Sequence, residues 1–289
     1  MRYGFVVPYA DAGEFAEIAA SGEAHGWDGI FTWEALYGVD AWVSLAAAAI
    51  ATTRIRLGTL LTPVPRIRPW DLATRVGTVD RLSGGRVVLG AGLGALHEGW
   101  TAYEADEGRR VRAEKLDEGL AVYAGLLGGQ PFEFTGRHYV AKPNDFMLPD
   151  PPVQRPHPPV WVVGAMVAGR QTQPSLVRAA RWQGLLPAWI EPDGEGVSGV
   201  TRPERMAAIV EAVRNLRLEQ GLPWEGYDVV LEADSTGEFV KAELLPPSVW
   251  AEVGVTWWIE SWWGLPRSAD GMVELRRRVE AGPLGLTPT

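Results

Sequence analysis

At 289 residues the chain exceeds a typical single domain but fits one α/β barrel of about 250 residues with insertions. Its 27 basic and 36 acidic side chains give a net charge of −9, which argues against nucleic acid as a partner. With no cysteine and four histidines in no ligand spacing, a disulfide framework, a thiolate zinc site and any other transition-metal site are unsupported. Arg2 opens directly into an apolar run without a signal-peptide profile, and no apolar stretch approaches the ~18 residues of a membrane span. A soluble, cytoplasmic protein is expected.

Strand-length apolar runs alternate with helical periodicity along the whole chain. A strand over Tyr3–Val7 leads to a helix over Glu14–His25, and Gly29–Thr32 leads to the alanine-rich Ala41–Ala51. Ile55–Leu61 leads to Pro69–Leu82, and Arg86–Ala91 to the amphipathic Arg110–Leu127. Then come Val160–Val163 with Leu176–Arg181, Gly184–Pro187 with Pro203–Gln220, Tyr227–Glu232 with Pro247–Val253, and Val255–Glu260 with Asp270–Val279. Helix-length crossovers make the strands parallel. Eight strand-helix pairs predict a closed (β/α)8 TIM barrel as a single domain, because closure removes both sheet edges. Between about Gln130 and Pro159, after the fourth helix, FEFTGRHYV reads as a hairpin and the proline-rich run behind it as a surface loop or a lid. His138 is expected to anchor that hairpin, and Ser83-Gly84-Gly85 to stop the third helix.

Chemistry in such folds sits at the carboxyl ends of the strands. After the third strand these are Thr62, Pro63, Pro65, Arg66 and Arg68; after the fourth, Gly90, Gly92 and Gly94. Those glycines either admit a planar ring and an anion to the backbone or serve a tight turn. In VWVVGAMVAGR a strand ending at Gly164 is followed by Ala165, Gly169 and Arg170, a composition suited to cradling a phosphate. Glu34 and Glu260 stand at strand ends beside Trp33, Trp262 and Trp263, where apolar surroundings raise a carboxyl pKa and suit it to proton transfer. His97 and Glu98, in the loop after the fourth strand, are further candidates. Fourteen tryptophans would fill the core and wall the mouth.

The segments LGTLLTPVPRIRPWDLA, LSGGRVVLGAGLG, GRHY and GVTWWIE resemble the bacterial luciferase-like superfamily of flavin- and deazaflavin-dependent oxidoreductases, over roughly Tyr3 to Pro283. The resemblance implies a (β/α)8 barrel with insertions, reduced FMN or coenzyme F-420 as cofactor, and a homodimer. It also implies a non-proline cis peptide behind the ring at Leu60-Leu61. Two positions depart from it: Glu34 is followed by Ala35 where many deazaflavin-dependent relatives carry histidine, and Gly94 by Ala95 where sugar-oxidising relatives carry glutamate. Sugar-phosphate oxidation is therefore not carried over. The expected function is hydride transfer or oxygen activation toward a small organic substrate, with Glu34 and then His97 as the proton-handling groups. Leu60, Leu61, Thr62, Gly90, Gly92, Gly94, Gly164, Ala165, Gly169 and Arg170 are expected around the cofactor. The alternatives are a cofactor-free hydrolase using Glu34 and Glu260 as paired carboxylates, or a non-catalytic flavin binder.

Overall fold

The computed structural model describes residues 1–95, 99–191, 197–235 and 245–283. Its principal strands are β1 (Arg2–Val7), β2 (Gly29–Thr32), β3 (Arg56–Thr59), β4 (Val87–Gly92), β5 (Val160–Val167), β6 (Gly184–Ile190), β7 (Asp228–Ala233) and β8 (Trp257–Ser261). Each pairs in parallel with the next, and β8 pairs with β1, so the predicted barrel is closed. The helices α1 (Ala12–Ala24), α2 (Ala41–Ala51), α3 (Pro69–Ser83), α4 (Arg109–Gly128), α5 (Pro174–Ala180), α6 (Pro203–Glu219), α7 (Pro247–Glu252) and α8 (Ala269–Glu280) surround it. Among the described residues no helix is long and apolar enough to cross a membrane.

Three strands end two or more residues from where the sequence predicts. The third stops at Thr59 rather than Leu61; Leu60 and Leu61 both turn to the barrel interior, and pairing with β4 resumes at Thr62–Pro63. β5 and β6 run past Val163 and Pro187, to Val167 and Ile190, because their upper ends continue to pair with each other.

Side-chain alternation along each strand sets the interior. Phe31, Trp161 and Trp257 meet there, with ring centroids 5.3 to 6.0 Å apart. Glycines opposite them make the space: a Cβ on Gly58 would lie 2.7 Å from Phe31, and one on Gly184 would lie 2.2 Å from Trp161. Below the rings, the Trp161 indole donates to Asp228 at 3.1 Å and Arg2 pairs with the same carboxylate. Burial pushes the Asp228 carboxyl above its ordinary range, and Arg2 pulls it back down. The barrel is thus plugged at the amino ends of its strands.

Two local devices hold the outer layer. Gly84 and Gly85, both at positive φ, end α3 and present Arg86, whose guanidinium donates to the carbonyls of Ala49, Thr52, Ile55 and Ser83. That arginine satisfies the last turn of α2. The insertion begins with the predicted hairpin, Phe134–Thr135 against Val140–Ala141, held by the Glu118 carboxylate, which accepts from the amides of Arg137, His138 and Tyr139. His138 also contacts Glu114 at 2.9 Å, the anchoring role expected of it. The chain then descends to the lower rim, where Gln154 bonds Asp80 and the carbonyl of Val87. The excursion is thus fastened to the surface at both places.

Because Trp161 is wedged against Trp257, a methyl group at position 184 cannot be absorbed by a ring movement alone. Gly184→Ala is expected to cost about 1–3 kcal/mol through overpacking, measured as a lower urea midpoint at unchanged m-value.

Candidate active site at the barrel mouth

A cavity of about 980 Å³ opens at the carboxyl ends of the strands, with Pro8, Thr32, Leu60, Leu61, Glu232 and Trp263 in its wall. Its floor is the aromatic plug, since Leu60 and Leu61 pack on the same interior cluster as Phe31 and Trp161. The Leu60–Leu61 peptide is cis, at the position the resemblance implies. It is fixed on both sides by the end of β2: the Leu60 amide donates to Thr32 O at 2.7 Å, and the Glu34 amide donates to Leu61 O at 3.2 Å.

Behind this wall runs a polar chain. Thr62 Oγ1 donates to Glu34 Oε2 at 2.7 Å and lies 3.0 Å from Thr59 Oγ1, whose own proton reaches Gly90 O at 3.2 Å. Trp42 Nε1 donates to Glu34 at 3.2 Å and Arg75 lies 3.4 Å from it. Five expected site residues, Glu34, Leu60, Leu61, Thr62 and Gly90, therefore belong to one arrangement. The Glu34 carboxylate turns away from the cavity, toward α2 and α3, while its neighbours Trp33 and Ala35 line the cavity.

The glycines of β4 have packing roles. A Cβ on Gly90 would lie 2.1 Å from Thr59 O, and one on Gly92 would lie 2.9 Å from the Leu61 side chain. Gly90 thus permits the close approach of β3, and Gly92 makes room for the bulged leucine. Gly94, at φ 77°, turns the chain, and its carbonyl accepts from the buried Arg112 at 2.8 Å. His97 and Glu98 lie outside the described residues.

The expected phosphate loop is divided. Gly164 and Ala165 lie within β5: Gly164 leaves room for Leu185, Leu176 and Ala179, and the Ala165 amide is taken by Ser175 Oγ at 3.1 Å. Gly169, at φ 76°, and Arg170 form the exposed turn beyond the strand, where the Gln173 side-chain amide ties the carbonyls of Val167 and Arg170. Arg66 and Arg68 are engaged by Glu104 at 2.7 Å and Asp71 at 3.0 Å.

Glu260 is buried on the outward side of β8, accepting from Ser235 N at 3.0 Å and Trp258 Nε1 at 2.9 Å. Glu34 and Glu260 therefore do not face a common cleft, and the paired-carboxylate alternative lacks its geometry. Asp11, Glu14 and Glu232 line the cavity, and of these Glu232, which sequence reasoning missed, comes from a barrel strand. It shares the inward side of β7 with the barrel-core residue Val230, so period-two alternation carried the signal. Among the described residues its carboxylate has one hydrogen bond, from Trp263 Nε1 at 3.0 Å.

Burial raises the Glu34 pKa above 4.5, outweighing the Thr62 and Trp42 hydrogen bonds and the Arg75 charge. A raised folded-state pKa means that Glu34 contributes stability fully present below its unfolded-state pKa and lost as pH climbs through the folded-state value. Glu34→Gln removes this titration. The urea midpoint of the variant relative to the native protein is therefore expected to climb as pH rises from about 4; a flat or falling difference would contradict the burial argument.

Residues 2–234 match the family of luciferase-like monooxygenases. Among solved structures, monooxygenase RslO1 from Streptomyces bottropensis superposes with a TM-score of 0.65 at 25% identity, over 81% of this chain and 71% of its own. The coenzyme F-420 dependent tetrahydromethanopterin reductase from Methanopyrus kandleri gives 0.71 at 16% identity, over 97% and 98%. The oxygenating constituent of 3,6-diketocamphane monooxygenase from Pseudomonas putida, in complex with FMN, gives 0.63 at 18% identity, over 84% and 72%. The two less similar structures support the fold alone. The family match spans the barrel from β1 to the end of β7, including the bulged third strand and the mouth it walls, and the chain belongs to the luciferase-like monooxygenase family.

Proposed function

We propose that the chain is an oxidoreductase that holds a reduced FMN or coenzyme F-420 at the barrel mouth and acts by hydride transfer or oxygen activation on a small organic substrate. The observation that carries this reading is the cavity of about 980 Å³, walled by the Leu60–Leu61 bulge, in a chain of this family. The residues present fit such a group. Pro8, Leu60, Leu61 and Trp33 offer apolar surface to a tricyclic ring, and the volume lies at the upper end of the ~300–1,000 Å³ usual for small-molecule sites. When bound, the ring supplies the electrons; the chain supplies position and electrostatics.

Each residue then has a defined task. Glu34 is a positioning residue: through Thr62 and its own amide it fixes the segment against which the ring would lie. Gly92 keeps Leu61 seated. The Gly169–Arg170 turn is the proposed holder of the cofactor's anionic tail, because it combines an exposed guanidinium with a left-handed glycine. The closed lower barrel keeps water from entering below. A homodimer is proposed through the outer face of α2, where Val43 and Ile50 are 57% and 76% exposed.

Anaerobic titration with reduced FMN and reduced coenzyme F-420, followed by absorbance and tryptophan quenching, tests the reading. Saturable binding of one cofactor is expected, and binding of neither would overturn the proposal. Arg170→Ala is expected to weaken that binding about tenfold. Sedimentation velocity tests the assembly: Ile50→Arg is expected to convert a dimer to monomer while leaving the far-UV circular dichroism unchanged.

A further inference from the structure

The mouth has an unbalanced wall. Its cavity is lined on the β1, β2, β7 and β8 side by aromatic rings, among them Tyr9, Trp33, Tyr37 and Trp263, and by the carboxylates Asp11, Glu14 and Glu232. Asp11 and Glu14 are committed to the start of α1. Asp11 Oδ1 accepts from the Glu14 amide at 2.8 Å, Glu14 Oε2 accepts from the Asp11 amide at 3.2 Å, and both charges answer the positive end of the helix. Glu232 has no such assignment. It is exposed to the cavity, held at one oxygen by the Trp263 indole, and forms no ion pair among the described residues. Arg267, the one cation among the described lining residues, lies at the rim of the same wall without pairing to it.

We propose that Glu232 is a specificity-determining carboxylate and that the substrate taken at this mouth carries a cationic nitrogen, a protonated or quaternary amine. A carboxylate beside the Trp263 indole, in a cavity that Tyr9, Trp33 and Tyr37 also line, attracts such a group by charge and offers it ring faces within the same cavity. An anionic substrate meets repulsion from the same wall, and a neutral one gains only apolar contact. The bond from Trp263 fixes one carboxylate oxygen while leaving the other for the ligand, so the group is oriented before the ligand arrives. The inference rests on the reading of the mouth as the reaction site and adds to it the class of molecule that enters.

Three probes of similar size and different charge separate the outcomes: 2-phenylethylammonium, 2-phenylethanol and 3-phenylpropionate, each titrated into the purified protein by ligand-observed NMR. The cation is expected to bind about tenfold more tightly than the alcohol, with the carboxylate weaker still. Glu232→Gln, which retains an acceptor for the Trp263 indole, is expected to erase that preference while leaving the alcohol's affinity unchanged. Equal affinity for the three probes, no saturable cation binding, or a preference that survives Glu232→Gln would overturn the proposal. Titration of the same proteins with the reduced cofactors keeps the two readings apart. Cofactor binding without a cation preference discards only the amine class, and absence of cofactor binding discards the reading beneath it.

Discussion

The architecture depends on three rings sharing the lower half of one barrel. Phe31, Trp161 and Trp257 occupy a space that eight strands bearing ordinary side chains would not leave, and Gly29, Gly58 and Gly184 concede it. Close packing of this kind tolerates neither a missing ring nor an added methyl without cost. The Asp228 carboxylate, bonded to one ring's indole and paired with Arg2, closes the base. Solvent and ligands are left a single approach, from the carboxyl ends of the strands. Every feature of the upper barrel is built on that closed floor, beginning with Leu60 and Leu61, which rest on it.

The bulge also organises what lies beside the mouth. Its backbone is tied to β2, its Thr62 hydroxyl to Glu34, and Thr59 to the carbonyl of Gly90, so three neighbouring strands are joined by one line of polar groups. The acid at the end of that line is spent on the scaffold. The strand-borne acid that faces the cavity, Glu232, comes from the other side of the ring, on β7. One side of the mouth therefore carries the leucine bulge and the other the carboxylates.

Element positions were legible because the chain punctuates itself. α3, α5, α6 and α7 begin with proline at Pro69, Pro174, Pro203 and Pro247, and Gly84 stops α3, so helix ends could be placed within a residue or two. Glycine misled at Gly164. A glycine that ends a strand and one that admits a neighbour's side chain inside a strand look alike in sequence, and only the positions of Leu185 and α5 distinguish them. The carboxylates were ambiguous for a related reason. Glu34, Glu232 and Glu260 all stand at or near strand ends, and which of them faces the axis depends on strand parity and on the turn of the backbone after β2. The bulge at Leu60–Leu61 was legible through resemblance alone, since two adjacent leucines in an apolar run read as an uninterrupted strand.

The insertion between α4 and β5 is fastened along its route, by Glu118 at the hairpin and by Gln154 at the amino-terminal rim. None of its described residues belongs to the lining of the mouth, so the excursion can change in length while that lining keeps its composition.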